Sequence, residues 1–173
     1  MTGPADRAGA ADPRHVMLGI YLNDHLAGST GGLELARRTA GAHRGTEAGT
    51  TLTRLAKDIQ EDRETLLEIM AALEVPVRQY KVASAWVTEK AGRLKLNGRL
   101  FDRSPLSSLV ELETLRLGVE GKTCLWRTLL IVAKHEPRLD SSRLDMVLDR
   151  ATSQLESLEA MRLEASAEVF TPA

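Results

Sequence analysis

The stretch LTRLAKDIQEDRETLLEIMAAL, residues 52–73, decides the predicted fold. Its apolar side chains recur at the spacing that places them along one face of an α-helix. The stripe is interrupted once, at Asp62 and Arg63, and Arg63 falls in its middle. An arginine on a buried face needs an acidic partner, so the stretch predicts both an amphipathic helix and a polar contact inside the protein. The members of the stripe are Leu52, Leu55, Ala56, Ile59, Leu66, Met70 and Leu73.

Three other stretches have the same periodicity and complete a set of four predicted helices. A capping side chain followed by proline marks two of the starts, because proline at the first helical position needs no hydrogen-bond donor. These starts are Asp12-Pro13 and Ser104-Pro105. The fourth helix begins at Asp140 or Ser141. The predicted limits are about 13–42, 46–75, 105–134 and 141–170.

The composition favours an all-α fold class. Of the 173 residues 43% are hydrophobic, yet the aromatic residues amount to two Trp, two Tyr and two Phe. The core must therefore be built from Leu, Ala, Val, Ile and Met, which as a set suits helices better than strands. We predict a single helical bundle domain at 12–170, with a disordered leader at 1–11 and a frayed tail at 171–173.

Charge, hydropathy and cysteine content exclude several classes of protein. A formal net charge of −1 gives no global field for a nucleic acid or a membrane. No apolar run reaches the roughly 18 residues that span a bilayer, and no basic head precedes an apolar block, so a cytoplasmic location is expected. Cys124 is the only cysteine, which excludes an intrachain disulfide and a thiolate cluster. Inside an apolar helix it is expected to be a small buried hydrophobe.

The middle of the first helix, residues 27–32, reads AGSTGG. Each glycine costs about 1 kcal/mol of helix propensity relative to alanine, so something should compensate. The favoured interpretation is that Gly28 and Gly32, one turn apart, let a bulky neighbour or another backbone approach closely. The alternatives are contact with a flat ligand and a kink in the helix.

The order of the helices is similar to that of ferritin-like four-helix bundles. The stretch LAKDIQEDRETLLEIMAALEVP, residues 55–76, resembles the second helix of small ferritin-like proteins, and QLESLEAMRLEAS, residues 154–166, resembles the fourth. The resemblance implies a ferritin-like topology, in which a long crossover between helices 2 and 3 makes these two helices roughly parallel.

The sequence departs from the metal-binding members of that superfamily. These proteins supply a carboxylate from two helices and a Glu-x-x-His pair from each of the other two. By position, the pairs become Gln60-x-x-Arg63 and Glu159-x-x-Arg162 in this chain. Arginine has no lone pair for a metal, and none of the four histidines lies three residues after a Glu. We therefore predict no metal and no cofactor.

We expect a buried polar layer in place of a metal centre. An unpaired buried guanidinium costs several kcal/mol, so Arg63 and Arg162 should meet carboxylates across the bundle. Such a layer would fix the register of the helices or bind an anion between the two arginines. The candidate members are Asp24, His25, Asp62, Arg63, Glu120, Glu159 and Arg162, with Glu113 as a further carboxylate.

One segment of the chain, Val77 to Arg103, is basic. Its second half alternates around Asn97-Gly98 and fits either a small hairpin or an extended crossover, of which we favour the crossover. The possible basic patch consists of Arg78, Lys81, Lys90, Arg93, Lys95, Arg99 and Arg103, with Tyr80 and Trp86 available for stacking.

Three functions remain open at this point. The missing metal ligands and the absence of a nucleophile–base pair favour a non-catalytic module that forms a homodimer, binds a protein partner or takes a small anionic ligand. A homodimer would use the glycine-rich side of helix 1 or the apolar excess on helix 3. The first alternative is a metal-dependent oxidoreductase or metal-storage protein with an atypical site of Asp24, His25, Glu120 and Glu159. The second is binding of nucleic acid or anionic lipid through the basic segment.

Overall fold

The computed structural model describes residues 12–78 and 104–172. Within these two ranges all regular secondary structure is helical, which confirms the predicted all-α, four-helix class. The predicted leader and the basic residues from Lys81 to Arg103 lie outside the described residues. The helices are α1 (Pro13–Ala42), α2 (Glu47–Ala72), α3 (Pro105–Ala133) and α4 (Ser141–Phe170).

Side-chain caps explain where three of the helices begin. The Asp12 carboxylate accepts a hydrogen bond from the Arg14 amide at 3.0 Å, and the Thr46 hydroxyl accepts one from the Gly49 amide at 3.0 Å. Asp140 caps α4 by accepting from the amides of the second and third residues of that helix. Each bond satisfies amides that have no partner in the first turn. Ser104 makes no such bond, and α3 begins instead with Pro105 in its first turn.

The helices pack as two hairpins laid side by side. α1 contacts α2 and α3, and α4 contacts α3 and, through fewer residues, α2. The order of the contacting residues makes each of these pairs antiparallel. For α1 and α2, Arg37 contacts Gln60, and Asn23 contacts Pro76 just after the end of α2; for α1 and α3, Tyr21 contacts Thr128 and Thr39 contacts Glu111. For α3 and α4, Lys122 contacts Gln154 and Arg162 contacts Glu113; for α2 and α4, Arg143 contacts Glu68 and Arg150 contacts Glu61.

The apolar core follows the stripes that the sequence predicts. All seven apolar members of the stripe in residues 52–73 are buried, and Trp126 of α3 is 1% exposed. In the described parts of the chain, no helix combines the length and the hydropathy that a membrane crossing requires.

One face of α3 differs from the prediction. Cys124 is exposed, so the prediction of a buried thiol is wrong. Leu117 and Ile131, expected to fill other sides of this helix, are 63% and 64% exposed. The three residues are spaced by seven and therefore share one face. The core-facing sides of α3 carry Leu125, Trp126 and Leu129 instead, which turns Cys124 away from the core.

Candidate functional site

A buried polar cluster lies at the position where the apolar stripe of α2 is interrupted. Asp62 is 2% exposed. Its Oδ2 accepts a hydrogen bond from Lys122 Nζ at 2.5 Å, and its Oδ1 accepts one from Arg150 Nη2. Lys122 Nζ also donates to Gln154 Oε1 at 2.5 Å, while Arg150 Nη1 donates to the partly exposed Glu61 at 2.9 Å. One carboxylate therefore binds cations from α3 and α4.

Helical spacing explains why these side chains point inward. Asp62 lies three residues after the buried Ile59 and four before the buried Leu66. Lys122 lies three residues after Val119 and four before Trp126, both buried. Residues at these spacings share a face, so the two charges belong to the core stripes of their helices.

Arg63 does not belong to the buried cluster. It is half-buried, and its Nε donates to the Thr30 hydroxyl of α1 at 3.4 Å. Within residues 12–78 and 104–172 it has no carboxylate partner, in contrast to the predicted ion pair. The physical reason is the helical turn of about 100° per residue, which directs Asp62 into the core and Arg63 toward α1.

Arg162 pairs with carboxylates, but it does so away from Arg63. Its Nε and Nη2 donate to Glu159 of the same helix at 2.9 and 2.8 Å, and Nη1 lies 3.8 Å from Glu113 of α3. Glu159 also lies 2.9 Å from Arg116 Nε. The hydrogen bonds from Arg162 hold the pKa of Glu159 below its usual value. Arg63 and Arg162 contact different helices, so the contacts do not form one layer.

The remaining predicted members of the layer lie at its edge or outside it. Asp24 is exposed and is therefore not part of a buried layer, and Glu120 is half-buried. His25 packs edge-on against Tyr21, with ring centroids 4.5 Å apart. Burial lowers the pKa of His25, and the charge of Asp24 partly offsets this effect. No group of three or more His, Cys, Asp or Glu residues in the described ranges could hold a metal ion.

Arg78 is the one member of the predicted basic patch that lies within the described residues. It is exposed, and its backbone amide donates to Asn23 Oδ1 at 2.7 Å. The Asn23 amide group donates in turn to the carbonyls of Gly19 and Pro76, at 2.8 and 3.1 Å. Asn23 is 2% exposed, so it holds the segment after α2 against α1 from inside the protein.

A cavity of about 440 Å³ lies between α1, α2 and α3, and we call it the α1–α3 cavity. Its walls are apolar on α2 and α3, where Ile59, Leu66, Leu115, Val119 and Trp126 line it. The buried end contains Asp62 and Lys122, whereas the open rim carries Glu34, Arg38 and Arg63.

Glycines form much of the α1 wall. A Cβ atom built on Gly28 or Gly32 would meet no atom within 4 Å, and the same holds for Gly118 of α3. The favoured prediction that a bulky neighbour or another backbone approaches Gly28 and Gly32 is therefore wrong. All three glycines line the cavity, together with Gly31. The absence of side chains at these positions keeps the space between the helices open.

Trp126, which lines the cavity, carries an unpaired donor in addition to the charged side chains of the wall. The indole Nε1 of Trp126 is buried and has no hydrogen-bond partner among the described residues. Buried polar groups normally have a partner, so such a donor calls for an acceptor. Arg38, Arg63 and Lys122 face two acidic residues, Glu34 and Asp62, around the same space. This chemistry suits an apolar molecule that carries an anionic or acceptor group.

No family model, no curated protein and no solved structure matches this chain.

Proposed function

We propose that the protein is a non-catalytic, ferritin-like helical bundle that binds a small apolar carboxylate in the α1–α3 cavity. The carboxylate would lie at the rim beside Arg63, and the apolar body would extend between the glycines of α1 and the apolar walls of α2 and α3.

The antiparallel contacts support the ferritin-like topology. Because α1 is antiparallel to both α2 and α3, these two helices run in the same direction. The end of α2 at Ala72 and the start of α3 at Pro105 therefore lie at opposite ends of the bundle. This arrangement is the one that a long crossover between helices 2 and 3 produces.

The binding proposal depends on the surroundings of Arg63. It lines an apolar cavity, is half-buried, and has a hydroxyl rather than a carboxylate as its partner within the described ranges. A guanidinium in this setting favours a carboxylate, because a charge-assisted hydrogen bond is about twice as strong as a neutral one. Arg38, 3.6 Å from Glu111 and 51% exposed, adds a second cation at the rim.

The size and lining of the cavity determine the class of ligand. Its volume of about 440 Å³ lies in the range of small-molecule pockets, roughly 300–1,000 Å³. Burial of each methylene group contributes about 0.8 kcal/mol, so an aliphatic chain gains affinity with length until it fills the cavity. A medium-chain fatty acid combines such a chain with the carboxylate that Arg63 favours.

Calorimetric titration with three chains of equal length tests the proposal. We expect nonanoate to bind at least about tenfold more tightly than nonanol, and nonylamine to bind most weakly, since a charged hydrogen bond contributes about 1.5–3 kcal/mol. Gly32→Leu places a side chain in the cavity and should abolish binding. Absence of nonanoate binding, or equal affinity for nonanoate and nonylamine, would overturn the proposal.

A homodimer is a second candidate, and the exposed face of α3 favours it. Leu117, Cys124 and Ile131 lie on this face at seven-residue spacing, which is the repeat that two packed helices share. Leu117→Glu and Ile131→Glu should each shift a dimer toward monomer in size-exclusion chromatography with light scattering. A monomer of the unmodified protein at high concentration would exclude this candidate.

A further inference from the structure

Lys122 is bound to Asp62 and Gln154 and also lines a cavity. Its side chain is 14% exposed and lines the α1–α3 cavity at the buried end. An ammonium group has three donors, and Nζ uses two of them, for Asp62 and Gln154. Lys122 thus lines the space into which a ligand would extend.

Burial, opposed by the charge of Asp62, favours loss of the proton from Lys122. Asp62 binds two cations, Lys122 and Arg150, and arginine stays protonated at any ordinary pH. If Lys122 becomes neutral, Asp62 and Arg150 remain as a balanced pair. Burial lowers the pKa of Lys122, and the charge of Asp62 offsets part of this effect. A neutral lysine amine is a nucleophile toward carbonyl carbon.

We propose that Lys122 forms a reversible imine with apolar aldehydes that enter the α1–α3 cavity. The Nζ lone pair forms a bond to the carbonyl carbon as the carbon–oxygen π bond breaks, and one amine proton passes to the oxygen to give a carbinolamine. The second amine proton then passes to the hydroxyl group, the carbon–oxygen bond breaks to release water, and the second bond between Nζ and carbon forms. The net reaction converts aldehyde and amine to imine and water, with no change in oxidation state.

Two neighbouring groups fit this chemistry. Asp62, hydrogen-bonded to Nζ, is placed to accept a proton from the amine and to return it to the departing hydroxyl. Trp126, one turn after Lys122 on the same face of α3, has a buried indole N–H that lacks an acceptor in the described part of the chain. A carbonyl oxygen bound at this end of the cavity would be an acceptor close to that donor.

The inference rests on the proposed function, because it uses the same cavity and the same apolar body of the ligand. It extends the ligand class to a chain with an aldehyde at the buried end and a carboxylate at the rim. Nonanal and azelaic semialdehyde are matched probes, since the second is nonanal with a carboxylate at its far end.

Reductive trapping tests the imine. The full-length protein is incubated with each probe and sodium cyanoborohydride, and the adducts are located by peptide mass spectrometry. We expect one main adduct, at Lys122, formed at least about tenfold faster than at Lys57, which is 78% exposed. Lys122→Arg keeps a cation beside Asp62 and should remove the main adduct, with folding checked by circular dichroism. Equal labelling of the exposed lysines, or no labelling of Lys122, would overturn the proposal.

The two probes separate this inference from the proposed function. If nonanoate binds and Lys122 is not labelled, the imine is excluded and carboxylate binding stands. If nonanal labels Lys122 and azelaic semialdehyde labels it no faster, the imine stands and the preference for a carboxylate at Arg63 fails. Protection of Lys122 by nonanoate would support both.

Discussion

Asp62 on α2 and Lys122 on α3 are joined by a hydrogen bond of 2.5 Å, although these two helices face each other across the diagonal of the bundle. The second oxygen of Asp62 binds Arg150 of α4. A single carboxylate, 2% exposed, therefore connects three of the four helices. The negative charge of Asp62 compensates the positive charges of Lys122 and Arg150 inside the bundle.

Asp62→Asn should lower the free energy of unfolding by about 3 kcal/mol, because it leaves Lys122 and Arg150 close together without their shared counter-ion. Chemical denaturation measures the loss. Glu61→Gln is the matched control, since it removes a carboxylate that is 44% exposed and also contacts Arg150. The free energy of unfolding of this control should fall by no more than about 1 kcal/mol.

Combining Asp62→Asn with Lys122→Met should restore part of the lost stability, because one uncompensated cation is removed as well. An equal loss of unfolding free energy in Asp62→Asn and in the Glu61→Gln control would show that the buried carboxylate contributes no more to stability than the partly exposed one.

Two glycine-to-alanine substitutions should change stability in opposite directions. Gly28 lies inside α1, and a Cβ there meets no atom within 4 Å, so Gly28→Ala should raise the free energy of unfolding by about 1 kcal/mol. At Gly49 a Cβ would lie 2.0 Å from the carbonyl oxygen of His43, so Gly49→Ala should lower it by about 2 kcal/mol. Thermal and chemical unfolding of both variants checks the signs. Stabilisation by Gly49→Ala would contradict the close approach of His43.

The starts of α1 and α2 could be predicted from sequence because their caps are local. Asp12 and Thr46 act within three residues of themselves, so the chain alone identifies them. The buried polar cluster could be predicted in part. Asp62 interrupts an apolar stripe, but Lys122 and Arg150 can place their long side chains either in the core or in solvent. Which of these happens depends on the partner that another helix brings near, and the sequence pattern does not contain that information.

The cavity was the least predictable feature. Gly28 and Gly32 indicate missing side chains, but the distance to the neighbouring helix decides whether the gap is closed or open. A helix spacing of about 8–10 Å depends on all the side chains at the contact, including those of the other helices. The sequence prediction places Arg63 in the core for a related reason. A stripe interrupted by two adjacent residues does not show which of them points inward.

Arg63→Met should weaken nonanoate binding by about tenfold and leave nonanol binding nearly unchanged, because it removes a charged donor and keeps an apolar side chain of similar length. Calorimetry of the two ligands with both proteins provides the four affinities. Arg37→Met is the matched control, since Arg37 is an exposed residue of α1 that donates to Gln60 and does not line the cavity. An equal loss for nonanoate and nonanol would mean that Arg63 contributes packing rather than charge.

Glu159→Gln should alter the acid sensitivity of the protein. Hydrogen bonds from Arg162 lower the pKa of Glu159 in the folded state below the value of 4.5 expected for the unfolded chain. The unfolded state then binds more protons between these two values, so the stabilisation from Glu159 is present above about pH 4.5 and is lost as the pH falls through the folded pKa.

The free energy of unfolding of the unmodified protein should therefore exceed that of Glu159→Gln at neutral pH, and the difference should shrink as the pH falls below about 4.5. Because the side chain of Glu159 is 36% exposed, the effect should be small. Glu156→Gln, an exposed position on the same helix, is the control and should show a smaller change of this difference with pH. A difference between Glu159→Gln and the unmodified protein that stays constant from neutral pH to about pH 3 would mean that Arg162 stabilises the glutamate and the glutamine equally, through hydrogen bonding without charge.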